Sequence, residues 1–228
     1  MNKPQDSAWR GRLWLADDHC LLLGTPGCTS VHAHYAHQVL LPLEGEACVE
    51  IAGEQCSGRL LAIESLQPHA MPGHQTPCIT LFAEPLAFSL QTLLDACQQA
   101  PRDIPGLAQA LRLAPRRSLD PRLTRALARI RALDERRLPA TTLAQDAALS
   151  ISQLERLFSG SLGLSVRRLV LWQRLRMALR QALDGMSLTE AAMAAGFADS
   201  AHLSRSLRQQ FGIRASEALR HLRSDTLA

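Results

Sequence analysis

Five histidines in the first third of the chain are the side chains best suited to chemistry: His32, His34, His37, His69 and His74. Imidazole binds transition metals, donates or accepts hydrogen bonds, and changes charge near neutral pH. Side chains alternate along a strand, so His32 and His34 share one face if that segment is extended. With His69 or His74 they could form a three-histidine metal site. The same set could contact an organic ligand without metal, or could serve structure alone. A second group lies near the other end: Ser152, Gln153, Glu155 and Arg156, then Ser200, Ala201, His202, Arg205 and Arg208. Apart from Ala201, whose methyl could touch a thymine methyl, these are donors and acceptors of the kind that read base edges and phosphates. No Ser/His/Asp arrangement, phosphate-binding glycine loop or paired-carboxylate motif stands out elsewhere.

The histidines need a β scaffold. Short apolar runs separated by Gly and Pro predict strands at residues 13–15, 20–23, 38–41, 47–51, 59–63 and 78–83. Ala47, Val49 and Ile51 alternate with Cys48 and Glu50, as in a half-buried strand, and Ala52-Gly53 reads as the tight turn after it. Such strands at close spacing suggest a small barrel or jelly roll. Leu90, Leu93, Leu94 and Cys97 then recur at helical spacing, followed by Leu107, Ala110 and Leu111. These two helices either pair two subunits or cover the open face of the β-structure.

The basic residues need helices. Pro115-Arg116-Arg117-Ser118 reads as a linker, and Asp120-Pro121 as the cap and first position of a helix. In the stretch from Ser187 to Phe211, Leu188, Ala191, Ala192 and Ala195 make a small apolar face. Gly196 ends that helix, Phe197 plugs the turn, and Asp199 or Ser200 caps the next. Leu203, Leu207 and Phe211 then fall four apart on one face. The pattern predicts a helix-turn-helix with a polar, basic outer face. Leu143, Ala144, Ala147, Leu149-Ser150, Leu154 and Phe158 repeat it upstream. Between the units, residues 165–183 predict one helix about 28 Å long.

Charge follows this division. Residues 1–115 carry 6 Lys+Arg against 11 Asp+Glu, a net of −5, and residues 116–228 carry 19 against 10, a net of +9. A polyanion partner therefore belongs with the helical half. All six cysteines lie in the other half without a CxxC pair, which favours reduced, mostly buried thiols. No apolar run of about 18 residues occurs, so no membrane span is expected. The first residues lack an apolar signal core, so a cytoplasmic location is expected.

The helical third resembles the DNA-binding domain of the AraC/XylS family of transcription regulators. The resemblance rests on Leu143-Ala144, Ala147, Leu149-Ser150, Leu154, Arg156 and Phe158, and on Gln173-Arg174-Leu175-Arg176 between the units. Ala191-Ala192, Gly196-Phe197, Asp199-Ser200, Leu203-Ser204-Arg205 and Phe211-Gly212 complete it. Ala215 departs from it, standing where the family usually has Pro. The first part resembles the cupin-type sensor domain often fused to such regulators, through His32-Ala33-His34, Leu43-Glu44-Gly45-Glu46 and Pro68-His69-Ala70. The acidic ligand expected after His-x-His is missing, and Gln38 stands near its place.

The resemblance implies an α+β two-domain chain. A small cupin-like β-barrel or jelly roll fills residues 1–85 and a helical connector and linker residues 86–118. An all-α domain at 119–224 holds two helix-turn-helix units joined by a long helix. It implies a sequence-specific DNA-binding regulator, more often an activator, that acts with RNA polymerase and is not an enzyme. Ser152, Gln153, Glu155, Arg156, Ser200, Ala201, His202, Arg205 and Arg208 would face double-stranded DNA, and residues 86–113 could join a homodimer. No cofactor is called for, but a metal or small-molecule effector could sit at His32, His34, His69 and His74. The competing reading is a metal-dependent cupin enzyme whose helical tail serves assembly.

Overall fold

A computed structural model describes residues 9–73, 76–132, 140–162, 165–212 and 215–225. The chain divides into two compact units, residues 117–203 and residues 1–116 together with 204–228.

The larger unit is β-rich. Its strands are β1 (Arg10–Leu15), β2 (His19–Thr25), β3 (His37–Pro42), β4 (Ala47–Ile51), β5 (Glu54–Gly58), β6 (Leu61–Ile63), β7 (His69–Ala70), β8 (Cys78–Ala83) and β9 (Leu222–Asp225). They form a six-stranded sheet in the order β6-β3-β8-β2-β1-β9 and a three-stranded sheet in the order β5-β4-β7. The strands thus lie in two sheets, as in a jelly roll, and not in one closed barrel. Ala52 and Gly53 have φ of 54° and 83°, and they join β4 to β5 as a two-residue hairpin turn of the mirror-image type. Arg59 and Leu60 precede β6 as a bend, so the strand expected at 59–63 is shorter.

Every residue of β3 and β8 is buried, so the sheet is covered on both faces at its centre. Side chains alternate, and the two parities have different neighbours. Val39, Leu41, Ile79, Leu81 and Ala83 share one core with Leu93, Ala96, Cys97, Ile104, Leu107 and Leu111 of α1 (Leu90–Gln99) and α2 (Ile104–Leu113). The apolar faces of these helices are therefore spent on the sheet, which is the covering role. Gln38, Leu40, Thr80 and Phe82 have the other parity, and His34 packs on Phe82 there. Arg116 is tied to this unit: Nε donates to Asp18 at 3.0 Å and its guanidinium lies 4.3 Å over the Phe88 ring.

The smaller unit is helical. It contains α3 (Pro121–Arg131), α4 (Ala140–Asp146), α5 (Ile151–Leu162), α6 (Val166–Leu183) and α7 (Leu188–Ala194). Asp120 caps α3, with Pro121 opening it, and Ser165 caps α6. Leu123, Leu127, Ile130, Leu143, Leu154, Phe158, Leu169, Trp172 and Leu175 are buried, as their helical spacing requires. The polar Gln173 and Arg176 are buried with them. The chain continues into α8 (Ser200–Phe211) and α9 (Ala215–His221). α9 begins at Ala215 although no proline opens it. Among the described residues, no helix is long and apolar enough to cross a membrane.

Candidate functional site

Two constructions carry chemistry. The first is the pair of helix-turn-helix units. In one, α4 ends with Ala148 N–H donating to Gln145 O at 2.9 Å and Leu149 N–H to Ala144 O at 2.8 Å. In the other, α7 ends with Gly196 N–H donating to Met193 O at 3.1 Å and Phe197 N–H to Ala192 O at 2.9 Å. Both are Schellman turns, which need a left-handed residue just past the helix. Ala148 and Gly196 supply it, with φ of 54° and 80°.

Each turn is followed by a capped helix. Ser150 Oγ accepts from Gln153 N–H at 3.2 Å while Ser150 N–H donates to Gln153 Oε1 at 2.9 Å. This reciprocal capping box uses the Gln153 carbonyl, leaving its NH₂ as a donor. Asp199 Oδ1 accepts from His202 N–H at 2.6 Å, so Asp199 and not Ser200 is the cap of α8. A second capping box, Ser187 with Glu190, starts α7.

The candidate reading residues stand outward on this frame. Ser152, Gln153, Glu155 and Arg156 are exposed on α5, as are Ala201, His202, Arg205 and Arg208 on α8, with Ser200 half-buried. Ala198 N–H donates to His202 Nδ1 at 3.3 Å, and the His202 ring meets Phe197 edge-on. An accepting Nδ1 leaves the neutral ring's proton on Nε2, which is then a donor. Leu203 and Leu207 are buried beneath α8. Phe211, next along the same spacing, differs in its surroundings. It is only half-buried, and its ring lies 5.7 Å from His34 and 5.8 Å from Phe82.

The second construction is a histidine cluster. His32 and His69 form an antiparallel bridge, each N–H donating to the other's carbonyl at 2.9 Å. Their ring centroids are 4.2 Å apart, with those of His34 and His69 at 5.0 Å and those of His32 and His34 at 5.7 Å. The expected face-sharing therefore comes from a single bridge and the bend after it, since β3 begins only at His37. Nδ1–H donates to a backbone carbonyl in each: His32 to Ser30 at 2.9 Å, His34 to Ala36 at 2.9 Å and His69 to Gln67 at 2.8 Å. Gln38 Oε1 lies 2.9 Å from His34 Nε2. Burial holds His32 at about 4 and His34 at about 3, with His69 adding to both, and burial also lowers His69. All three are neutral at pH 7. His37 turns elsewhere, its Nδ1 accepting from Ser65 N–H at 3.0 Å. His74 lies outside the described residues. Sequence reasoning placed Gln38 here but missed Phe211, whose regular spacing in α8 mimics a core position.

A helix-turn-helix domain family model matches residues 143–221. An AraC-type transcriptional regulator from Chromobacterium violaceum is 34% identical over 42% of this chain and 88% of its own, with a TM-score of 0.40. An apo ToxT variant from Vibrio cholerae is 10% identical, covers 90% of this chain and 97% of that one, and has a TM-score of 0.58. Wild-type ToxT with a bound unsaturated fatty acid is 9% identical over 97% and 98% of the two chains, with a TM-score of 0.56. No curated protein matches the chain by sequence. At that identity the ToxT structures establish a shared two-part fold, with a β-rich region preceding a helix-turn-helix region. The class is thus a helix-turn-helix, DNA-binding transcription regulator. Within it, residues 143–221 form a helix-turn-helix domain of the AraC type.

Proposed function

We propose that the chain is an effector-controlled transcription activator that reads two successive major grooves. One observation carries this: the same Schellman turn and capped, arginine-bearing helix occurs twice, on either side of α6. An 18-residue helix is about 27 Å long, close to the ~34 Å repeat of the major groove. Arg156 and Arg205 are the proposed guanine contacts. Ser152, Gln153, Glu155, Ser200, Ala201 and His202 are the proposed supporting base contacts, and Arg208 a phosphate contact. The effector would bind in the β-rich unit at His32, His34 and His69, with His74 nearby in sequence. ToxT of the same fold takes an unsaturated fatty acid, which supports a small-molecule effector as the parallel. RNA polymerase is the proposed partner in activation. A homodimer would use the outer surfaces of residues 86–113. The proposed setting is the cytoplasm.

The test is selection from random duplex DNA with the full chain at several salt concentrations. The expected result is a long, asymmetric motif with two boxes about one helical turn apart. Recovery of only weak, salt-sensitive, sequence-independent binding would count against it.

A further inference from the structure

We propose that His32, His34 and His69 bind one first-row transition-metal ion of the Zn²⁺ class through their Nε2 atoms, with Phe211 as the wall of the site. The inference rests on the reading of the β-rich unit as the effector-sensing part, and it names the ligand class.

Geometry carries it. One ring nitrogen from each of the three lies within 4.8 Å of the others, and all three residues are buried. In all three rings Nδ1 is committed to a backbone carbonyl. A carbonyl only accepts, so His32 and His69 carry the proton on Nδ1 and keep the lone pair on Nε2, whereas His34 lies between two acceptors, Ala36 O and Gln38 Oε1. This outer hydrogen bond is the device by which metal-binding histidines have their tautomer and orientation fixed. His69 Nε2 is fully buried with no hydrogen-bond partner among the described residues. A buried lone pair without a donor is costly unless something electrophilic meets it. His34 Nε2 lies 2.9 Å from Gln38 Oε1, so a metal takes the place of that contact and the freed amide oxygen becomes a further candidate ligand.

The donor set decides the metal. Three imidazoles suit Zn²⁺, Cu²⁺, Ni²⁺ or Co²⁺, whereas Mg²⁺ and Ca²⁺ require oxygen ligands. Bonds of ~2.0–2.1 Å in a tetrahedron put nitrogens roughly 3.3 Å apart. The widest pair of ring nitrogens, 4.8 Å apart at most, must therefore draw together by up to about 1.5 Å. His34 packs beside Phe211, whose ring centroid is 5.7 Å away at the end of α8. Gly212 stands as close to His32: a Cβ there would meet Thr29 Cβ at 2.8 Å and His32 Nδ1 at 3.0 Å. Phe211 and Gly212, at the end of α8, thus lie against two of the three histidines.

The experiment titrates the full-length, metal-stripped protein with Co²⁺, then adds Zn²⁺, with Mg²⁺ as a control. The expected result is one Co²⁺ per chain with the visible absorption of a tetrahedral nitrogen site, displaced by stoichiometric Zn²⁺ and untouched by excess Mg²⁺. His69→Gln and His32→Gln should each weaken binding at least tenfold, and Cys28→Ser should leave it unchanged. Thermal melts confirm that each variant is folded, and His34→Gln replaces any variant that is not. No binding, equal competition by Mg²⁺, or full binding by folded histidine variants overturns the proposal. Sequence-specific DNA binding is measured on the same samples with and without Zn²⁺. DNA recognition without metal binding sinks the metal site and leaves the regulator standing. Metal binding without DNA recognition leaves the metal site standing and counts against the regulator.

Discussion

Ala148 and Gly196 occupy the same place in two successive helix-turn-helix units, each left-handed and each donating to the carbonyl three residues back. Only one of them is glycine. A left-handed alanine costs on the order of 1 kcal/mol, because its Cβ crowds the following carbonyl. Ala148→Gly should therefore stabilise the first unit by about 0.5–1 kcal/mol, and Gly196→Ala should destabilise the second by about 1 kcal/mol. Urea unfolding followed by circular dichroism measures both, and equal signs for the two changes would contradict the equivalence.

Phe158 and Phe211 look alike in sequence but differ in place. Phe158 is fully buried and Phe211 only half so. Phe158→Ala should cost about 3–5 kcal/mol. Phe211→Ala should cost about 1–2 kcal/mol, the value of aromatic contacts with partial burial. Comparable losses in the two variants would place Phe211 in a core after all.

Asp18 sets an acid limit on the β-rich unit. Burial alone would raise its carboxyl, but hydrogen bonds from His19 and Arg116 outweigh this and hold it at about 2, below its ordinary 3.8. The folded state thus favours the charged form. Its stabilisation is present above about pH 4 and is lost as pH falls toward 2. Asp18→Asn should lower stability at pH 7 by about 2 kcal/mol and flatten the fall below pH 4. A variant as acid-sensitive as the parent would assign that sensitivity to other carboxylates.

Arg156 and Arg205 are exposed on α5 and α8. Arg156→Ala and Arg205→Ala should each cost about 1–3 kcal/mol on the selected operator and relax preference at one box only. Arg208→Ala should weaken binding to all sequences alike and reduce the salt slope by about one. Far-UV circular dichroism should not change. Loss of preference at both boxes from one substitution would contradict independent reading by the two helices.

Local signals read well from the sequence because they are enforced locally. The caps at Asp120 and Asp199, the break at Gly196 and the buried stripe of Leu143, Leu154 and Phe158 depend only on neighbouring residues. The short strands β5 and β7 escaped because Glu54–Gly58 is polar and His69–Ala70 is too short to show a period. Phe211 was misleading for a different reason. Periodicity identifies which residues share a helix face, and it says nothing about what packs there. The partner, His34, is remote in sequence. The histidine cluster was legible as a list of residues but not as geometry, since a lone bridge between His32 and His69 joins what no strand pattern announces.

β9 pairs in parallel with β1, from Gly11 opposite Leu222 to Trp14 opposite Asp225. Two strands this far apart in the chain form a contact of very high order. The entropy of closing such a loop must be met before the pairing returns anything. On a ribosome, β1 emerges early and waits with an unpaired edge, and exposed edges invite aggregation. Its neighbour arrives only after both helix-turn-helix units have been made. The six-stranded sheet thus matures last, and its completion reports that both helix-turn-helix units have already been synthesised.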